Sequence, residues 1–547
     1  MKRTVVHPVV RVLVAVFLLS VLLACRAGAA HVPDKGHLSD RALLDEVQRD
    51  AFRYMWEDGE PESGMAYEAN FDWEVNPVAV GGTGFGVAAI VAAADRGWIT
   101  RNQAVARIGR IVRFLLERTD RAELHGAFPH WLNGATGDAV NFDANDTGAD
   151  IVETSFLMQG LLIARAYFNG PGAEEELRRD ITVLWEGVDW NWFTAGEDDG
   201  LYWHWTPERG HLGLKVTGYN ECLVTYLLAL SSPSHPISRR AYDHWTSRDD
   251  YQAKTVFGYE VEATASGGGP LFLAHYSFIG LDPRQLADAF VTKGYFVRNV
   301  NQTLSNRAYC LQDAPKENRY SPEYWGLTAS QIEDGYSVND PYRDSGTVAP
   351  TAALSSMPYT PWYSMQVLRN FGNGLRKKIW GRNGPYDAIN IRDGWVSDRY
   401  LAIDQMPIVC MIENYRSGLL WRLFMSDPDV KRGLEKAGMA LPVLAAGFPE
   451  AVVTVRKEGV DYLPEAHDLV RHPDTGKYAI PFWSKFGNEV FFDMQDENGE
   501  KVFQCQSSAV KGRNILFFDQ FAPPDGKILT LTMTEGDASH RIPVRLN

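Results

Sequence analysis

From about Leu43 to Leu441 apolar positions recur every three or four residues, the spacing that lines one face of an α-helix. Leu44, Val47, Ala51, Phe52 and Met55 form one stripe, and Val105, Ile108, Ile111, Val112 and Leu115 form another. The same period predicts helices over 85–96, 148–167, 173–188, 217–229, 238–245, 284–304, 348–355, 361–380, 401–424 and 430–437, about twelve with the two stripes. The stretches 151–164 and 218–230 are apolar on most sides, as in helices enclosed by others, whereas 173–188 keeps a polar face suited to an outer layer. The connections 196–218, 263–281 and 320–350 are rich in Gly, Pro and aromatic residues. Loops this long in a compact domain are usually functional, and they are expected to rim one mouth of the helical assembly.

After Leu441 the texture changes. Short β-rich runs at 451–456, 478–482, 490–493, 502–506, 514–518, 528–533 and 541–546 are broken by Asp-Gly, Asn-Gly and Pro-Pro turns. They predict a small β-sandwich over 445–547. It shows no convergent carboxylates or histidines, so an accessory role is expected of it.

The length of 547 residues exceeds what one core fills, which agrees with a large helical domain, 41–441, and a second small one. At the N-terminus Lys2, Arg3 and Arg11 precede the apolar run from Val12 to Ala24, the pattern of an export signal over 1–24. Leu22-Leu23-Ala24-Cys25 resembles a bacterial lipobox, which would leave Cys25 as a lipidated N-terminus followed by a linker to residue 40. Arg26, where sorting to the inner membrane uses Asp, points to an outer-membrane lipoprotein facing the periplasm or the cell surface. The alternative is cleavage after Ala27, Gly28 and Ala29, giving a soluble periplasmic protein. The only membrane contact expected is that lipid anchor.

The net charge is −15, and the densest basic cluster, Arg376 to Lys378, is three residues long. Neutralising a phosphate backbone needs far more, so nucleic acid is not an expected partner. Cys222, Cys310, Cys410 and Cys505 lack metal or redox spacing, and no disulfide is expected. Aromatic residues make up 12% of the chain, with 16 Trp, and indole faces suit sugar rings.

Within 145–156 the carboxylates Asp146, Asp150 and Glu153 are spaced by four and three, which on a helix places all three on one face. Like charges there weaken a helix by about 0.2–0.5 kcal/mol per pair, and no Lys or Arg follows until Arg165. First-turn capping accounts for Asp146. It accounts poorly for Glu153, where crowding and burial would raise a carboxyl pKa as acid–base chemistry needs. Glu221 is the lone charge in the apolar run around 217–228; buried there, it is expected to stay protonated with a raised pKa, the alternative being that it meets an arginine from elsewhere in the core. Asp404 and Glu413 lie in another apolar run and read as a core pair bridged to Arg416. Trp203, His204, Trp205, His275, Tyr276, Trp325 and Trp362 are the candidate sugar contacts. No His-Glu-x-x-His, Gly-x-Ser-x-Gly or phosphate-loop signature is present. The run Gly81-Gly82-Thr83-Gly84-Phe85-Gly86 lacks dinucleotide spacing and reads as close helix packing. No metal site or cofactor is expected.

The chain resembles the bacterial glucoamylase-like family that includes endo-β-1,2-glucanases. The resemblance runs in order through Phe52-Arg53-Tyr54-Met55-Trp56, Gly82 to Gly86, the Asp146 to Glu153 segment, Tyr219-Asn220-Glu221, Gly269 to Ser277, Trp325 to Ser330, Ala349 to Leu354 and Met411 to Arg416. It implies a mainly α fold, an (α/α)6 helical barrel, and inverting hydrolysis of β-1,2-glucan. It also implies an acidic centre at Asp146, Asp150, Glu153 and Glu221. The chain departs from the family at Met406, where Gly is usual, and a bulkier side chain there is expected to reshape a subsite. The expected mechanism has Glu221 as general acid and the Asp146, Asp150, Glu153 face as base, directly or through a water or a substrate hydroxyl. Inverting carboxyls stand about 6.5–9.5 Å apart, so acid and base are expected on facing helices. Endo-action is expected; exo-release of sophorose and a non-catalytic glucan-binding lipoprotein are the alternatives.

Overall fold

The computed structural model describes residues 38–141, 144, 147–247, 251–264 and 266–439, together with eight C-terminal strands. The export signal, Cys25, Asp146 and the boundary expected near 441–445 lie outside the described residues, as does the side chain of Trp362.

Fourteen α-helices are described. They are α1 (Asp40–Trp56), α2 (Val80–Asp95), α3 (Arg101–Glu117), α4 (Ile151–Tyr167), α5 (Ala173–Glu186), α6 (Leu223–Ser231) and α7 (Arg239–Thr246), followed by α8 (Tyr295–Ala308), α9 (Pro350–Leu354), α10 (Pro361–Arg369), α11 (Arg376–Ile379), α12 (Ala402–Arg416), α13 (Leu419–Ser426) and α14 (Pro428–Lys436). Helices α2, α4, α6, α8, α9 and α12 are buried along nearly their whole length. Helices α1, α3, α5 and α7 bury one stripe and leave the rest to solvent, the division between an inner and an outer layer. This is the (α/α)6 arrangement. The ring closes where α12 meets α2: a methyl on Gly82 would press on Ala402, and Cys410 Sγ lies 3.4 Å from the Phe85 carbonyl. Cys222, Cys310 and Cys410 are buried free thiols.

Helix starts differ from the sequence expectation where local backbone signals override the apolar period. Helix α4 begins at Ile151 rather than 148, because Gly148 adopts a φ of 72° and Ala149–Asp150 pairs as a short strand with Trp205 and His204. Asp150 therefore precedes the helix that carries Glu153 and does not share its face. Helix α6 begins only at Leu223, so Glu221 sits in the turn that precedes it. The helix expected over 284–304 begins at Tyr295, after Gly294 at φ 90°. The one expected over 401–424 divides at Gly418, φ 65°.

The C-terminal strands form two four-stranded antiparallel sheets. Their orders are 451–453, 512–518, 478–484, 470–471 and 501–508, 489–495, 528–535, 538–545. Phe492 and Met494, two apart on one strand, are buried together with Leu531, so the second sheet has a core face.

Candidate active site

The glycine run of α2 fixes the floor of the site. Cβ atoms added at Gly84 or Gly160 would collide with the backbone of the facing helix, so α2 and α4 cross at bare-backbone distance. A Cβ on Gly81 would collide with the Glu153 carboxyl; without one, the Gly81 N–H donates to Glu153 Oε2 at 2.7 Å. Asp150, 1% exposed, is the N-cap of α4. Its Oδ1 accepts the amides of Val152 and Glu153 at 2.9 and 2.8 Å, and its Oδ2 takes the Trp203 indole N–H at 3.1 Å, with His204 Nε2 3.2 Å away. That is a fully engaged carboxylate: it aims Glu153 and has no oxygen to spare for a reaction.

Glu221 is carried by a turn clamped from several sides. Ser277 donates to the Glu221 carbonyl and accepts the Val224 amide at 3.0 Å. Asn220 Oδ1 takes the Cys222 amide at 3.0 Å, and the Arg298 guanidinium lies 4.0 Å over the Tyr219 ring. Glu221 is half-buried, and among the described residues no Lys, Arg or His forms an ion pair with its carboxyl. Burial pushes its pKa up to about 7, helped by the nearby Asp150 carboxylate. Burial pushes Glu153 further, to about 8; His130 draws it down, while Asp150 and Glu68 push it up.

Both glutamates open into a cavity of about 450 Å3 between the inner helices and the long connections. Glu68, His130 and Arg399 share its wall. Aromatic rings supply much of the rest: Phe71, Trp73 and Trp131 on one side, Trp203, Phe272 and Tyr276 elsewhere, and Tyr336 on the hairpin formed by Ala329–Ile332 and Gly335–Val338.

Of the residues proposed from sequence, Glu153, Glu221, Trp203 and Tyr276 line this cavity. The others described do not. Trp205 packs against His125 and Trp192. His275, 1% exposed, bonds Ser356 Oγ at 2.9 Å, and burial lowers its pKa to about 3. Trp325 is fully buried in the core, as is Met406, whose neighbour Ile403 is the α12 residue that reaches the cavity. The core pair is also rearranged. Glu413 pairs with Arg96, while Arg416 pairs with Asp45 at 2.6 Å. Asp404 instead faces Asp387, which accepts the Gln331 amide at 2.7 Å. Burial raises both, Asp387 to about 6; Asp387 pushes Asp404 higher still while the hydrogen bond from Asp404 lowers Asp387, so the pair shares a proton that sits on Asp404.

Glu68, His130, Arg399 and the Phe71–Trp73 pair were not singled out by the sequence. They sit in aperiodic connections, and only the density of aromatic residues there signals them.

Residues 213–428 match the family model described as "Putative glucoamylase". A crystal structure of an endo-β-1,2-glucanase from Chitinophaga pinensis, with sophorotriose and glucose, is 44% identical at a TM-score of 0.71, covering 74% of this chain and 99% of that one. A glucoamylase-like structure from Bacteroides caccae is 47% identical at a TM-score of 0.70, covering 74% and 100%. A curated exo-β-1,2-glucooligosaccharide sophorohydrolase of Parabacteroides distasonis is 41% identical over 424 residues, 73% of this chain; the chain spans 58% of that relative's length. The chain belongs to this glucoamylase-like family.

Proposed function

We propose that the protein hydrolyses β-1,2-linked glucan with inversion at the anomeric carbon, cutting within the chain. The observation that carries this is the convergence of Glu153 and Glu221, held by separate elements, in one aromatic-walled cavity where, among the described residues, no ion pair neutralises Glu221. Linkage and endo-action rest on the likeness to the Chitinophaga enzyme, which the chain covers almost end to end.

Glu221, protonated up to about 7, gives its proton to the glycosidic oxygen as the C1–O bond breaks. Water attacks C1 from the opposite face and yields its proton toward Glu153, directly or through a substrate hydroxyl. Burial keeps Glu153 protonated up to about 8, so the base role needs that proton to leave first; the Gly81 N–H and His130 are the neighbours that favour the ionised form. Asp150 positions Glu153 and, by bonding Trp203, fixes one ring of the cavity wall.

Digestion of linear β-1,2-glucan is expected to give a ladder of oligosaccharides whose new reducing ends first appear as the α anomer in the NMR spectrum. A single disaccharide product would overturn endo-action, initial β anomer would overturn inversion, and no cleavage would overturn the whole assignment. The lipobox at Cys25 supports placing the protein on the outer membrane. Cys25→Ser is then expected to move it from the membrane to the soluble fraction, and an unchanged distribution removes the lipid anchor from the account.

A further inference from the structure

Among the tryptophans whose side chains are described only Trp73 and Trp192 are exposed, and Trp73, 51% exposed, lines the same cavity in which Glu153 is 9% exposed. The difference in depth places Trp73 at the rim and Glu153 at the floor. The segment that carries it is pinned rather than loose. Ala69 bridges Leu401, Asn70 donates to the Asp398 carbonyl at 3.1 Å and accepts the Tyr400 amide at 2.7 Å, and Arg399 donates to the Asn70 carbonyl at 2.6 Å. Phe71 lies flat against Trp73, centroids 4.0 Å apart and planes within 6°, and the Arg399 guanidinium stands 5.6 Å from the Phe71 ring. Guanidinium, phenyl and indole thus form a stack whose last member turns a face outward. Trp131 closes the inner side, tilted 58° at 6.0 Å. Trp192, also exposed at 38%, differs: His125 covers it at 3.7 Å and it lies outside the cavity.

An indole face held in water at the rim of an aromatic-walled cavity is apolar surface that a ligand gains by covering. The flat apolar face of a pyranose, with its hydroxyls free to bond at the edge, fits such a surface. We infer that Trp73, backed by Phe71 and Arg399, is an outer glucosyl-stacking subsite that holds the substrate chain beyond the units being cleaved and sets the enzyme's preference for long glucan. This rests on the glucan-hydrolase assignment above.

The test uses the full chain carrying Trp73→Ala or Trp73→Phe, assayed on long linear β-1,2-glucan and on the shortest oligosaccharide the wild type cleaves. Trp73→Ala is expected to raise KM for the polymer about tenfold with kcat unchanged, to leave kcat/KM on the short substrate within about twofold, and to lengthen the products. Trp73→Phe is expected to recover most of the loss. Equal losses on both substrates, or none on either, overturn the subsite. If the wild type cleaves no β-1,2-glucan, the assignment of activity fails separately. The platform is then judged by quenching of indole fluorescence with a panel of β-gluco-oligosaccharides: quenching abolished in Trp73→Ala upholds it, and quenching that is absent or unaltered overturns it.

Discussion

Glu221→Gln is expected to lower kcat on β-1,2-glucan by roughly 10²- to 10⁴-fold, the contribution of a positioned general acid, while leaving KM and the unfolding midpoint close to wild type. The substitution is nearly isosteric, and among the described residues no ion pair is broken by it. The Ser277 contact that clamps the turn uses the backbone carbonyl of residue 221, which the variant keeps. The wild-type pH profile should show the same group. A general acid works while protonated and a base while ionised, so with Glu221 at about 7 and Glu153 at about 8 kcat/KM is expected to peak between the two values and to fall above about 8, where Glu221 has lost its proton. That limb is expected to vanish in whatever activity the variant retains. A substrate whose leaving group needs no proton, such as a β-sophoroside of an acidic phenol, should lose far less than glucan does. Near-normal turnover of glucan by the variant would remove Glu221 from the mechanism. An equal loss on the activated substrate would mean that it acts by some means other than proton donation.

The helical layers were legible in the sequence because burial writes itself into local period. Helices α2 and α4 are apolar nearly all round and lie in the inner layer, and the glycine run at 81–86 marks a close crossing. What the period could not show is where a helix starts. The four- and three-residue spacing of Asp146, Asp150 and Glu153 looks helical, but Gly148 at positive φ and the pairing of Asp150 with His204 hold the chain extended through residue 150. The carboxylate at 150 thereby becomes a cap, and Glu153 reaches the cavity. Glu221 drew attention as a charge without a partner, and among the described residues it has no ion pair although it lies in the turn before α6. Pairings distant in sequence were not legible: Glu413 meets Arg96 across the seam where α12 packs on α2, and Asp404 meets Asp387 from a connection. His275 and Trp325 show the converse. An aromatic residue in a loop-like stretch has no period to say whether it faces sugar or core, and both face core.

Gly160→Ala is expected to destabilise the protein by about 3 kcal/mol or more, at the upper end of what overpacking costs. The new methyl would overlap the Gly84 carbonyl of α2, and what it meets is the backbone of a packed helix, which cannot swing aside as a side-chain tip can. Relief requires α2 and α4 to separate. Because α2 bears the Gly81 amide and α4 bears the Glu153 carboxyl it holds, separation should also weaken that bond and lower activity in the fraction that remains folded. Gly109→Ala on α3 is the matched control. It is likewise a mid-helix glycine, but its added methyl meets only the end of the Arg113 side chain at 3.5 Å. Helix propensity alone should therefore make it stabilising by about 0.5–1 kcal/mol. Denaturant unfolding of the two variants, read as shifts in midpoint at constant slope, is expected to move in opposite directions. If Gly160→Ala shifts the midpoint no more than an ordinary surface change, the inner helices do not cross at bare-backbone distance. The placement of Glu153 beneath Gly81 then loses its structural basis.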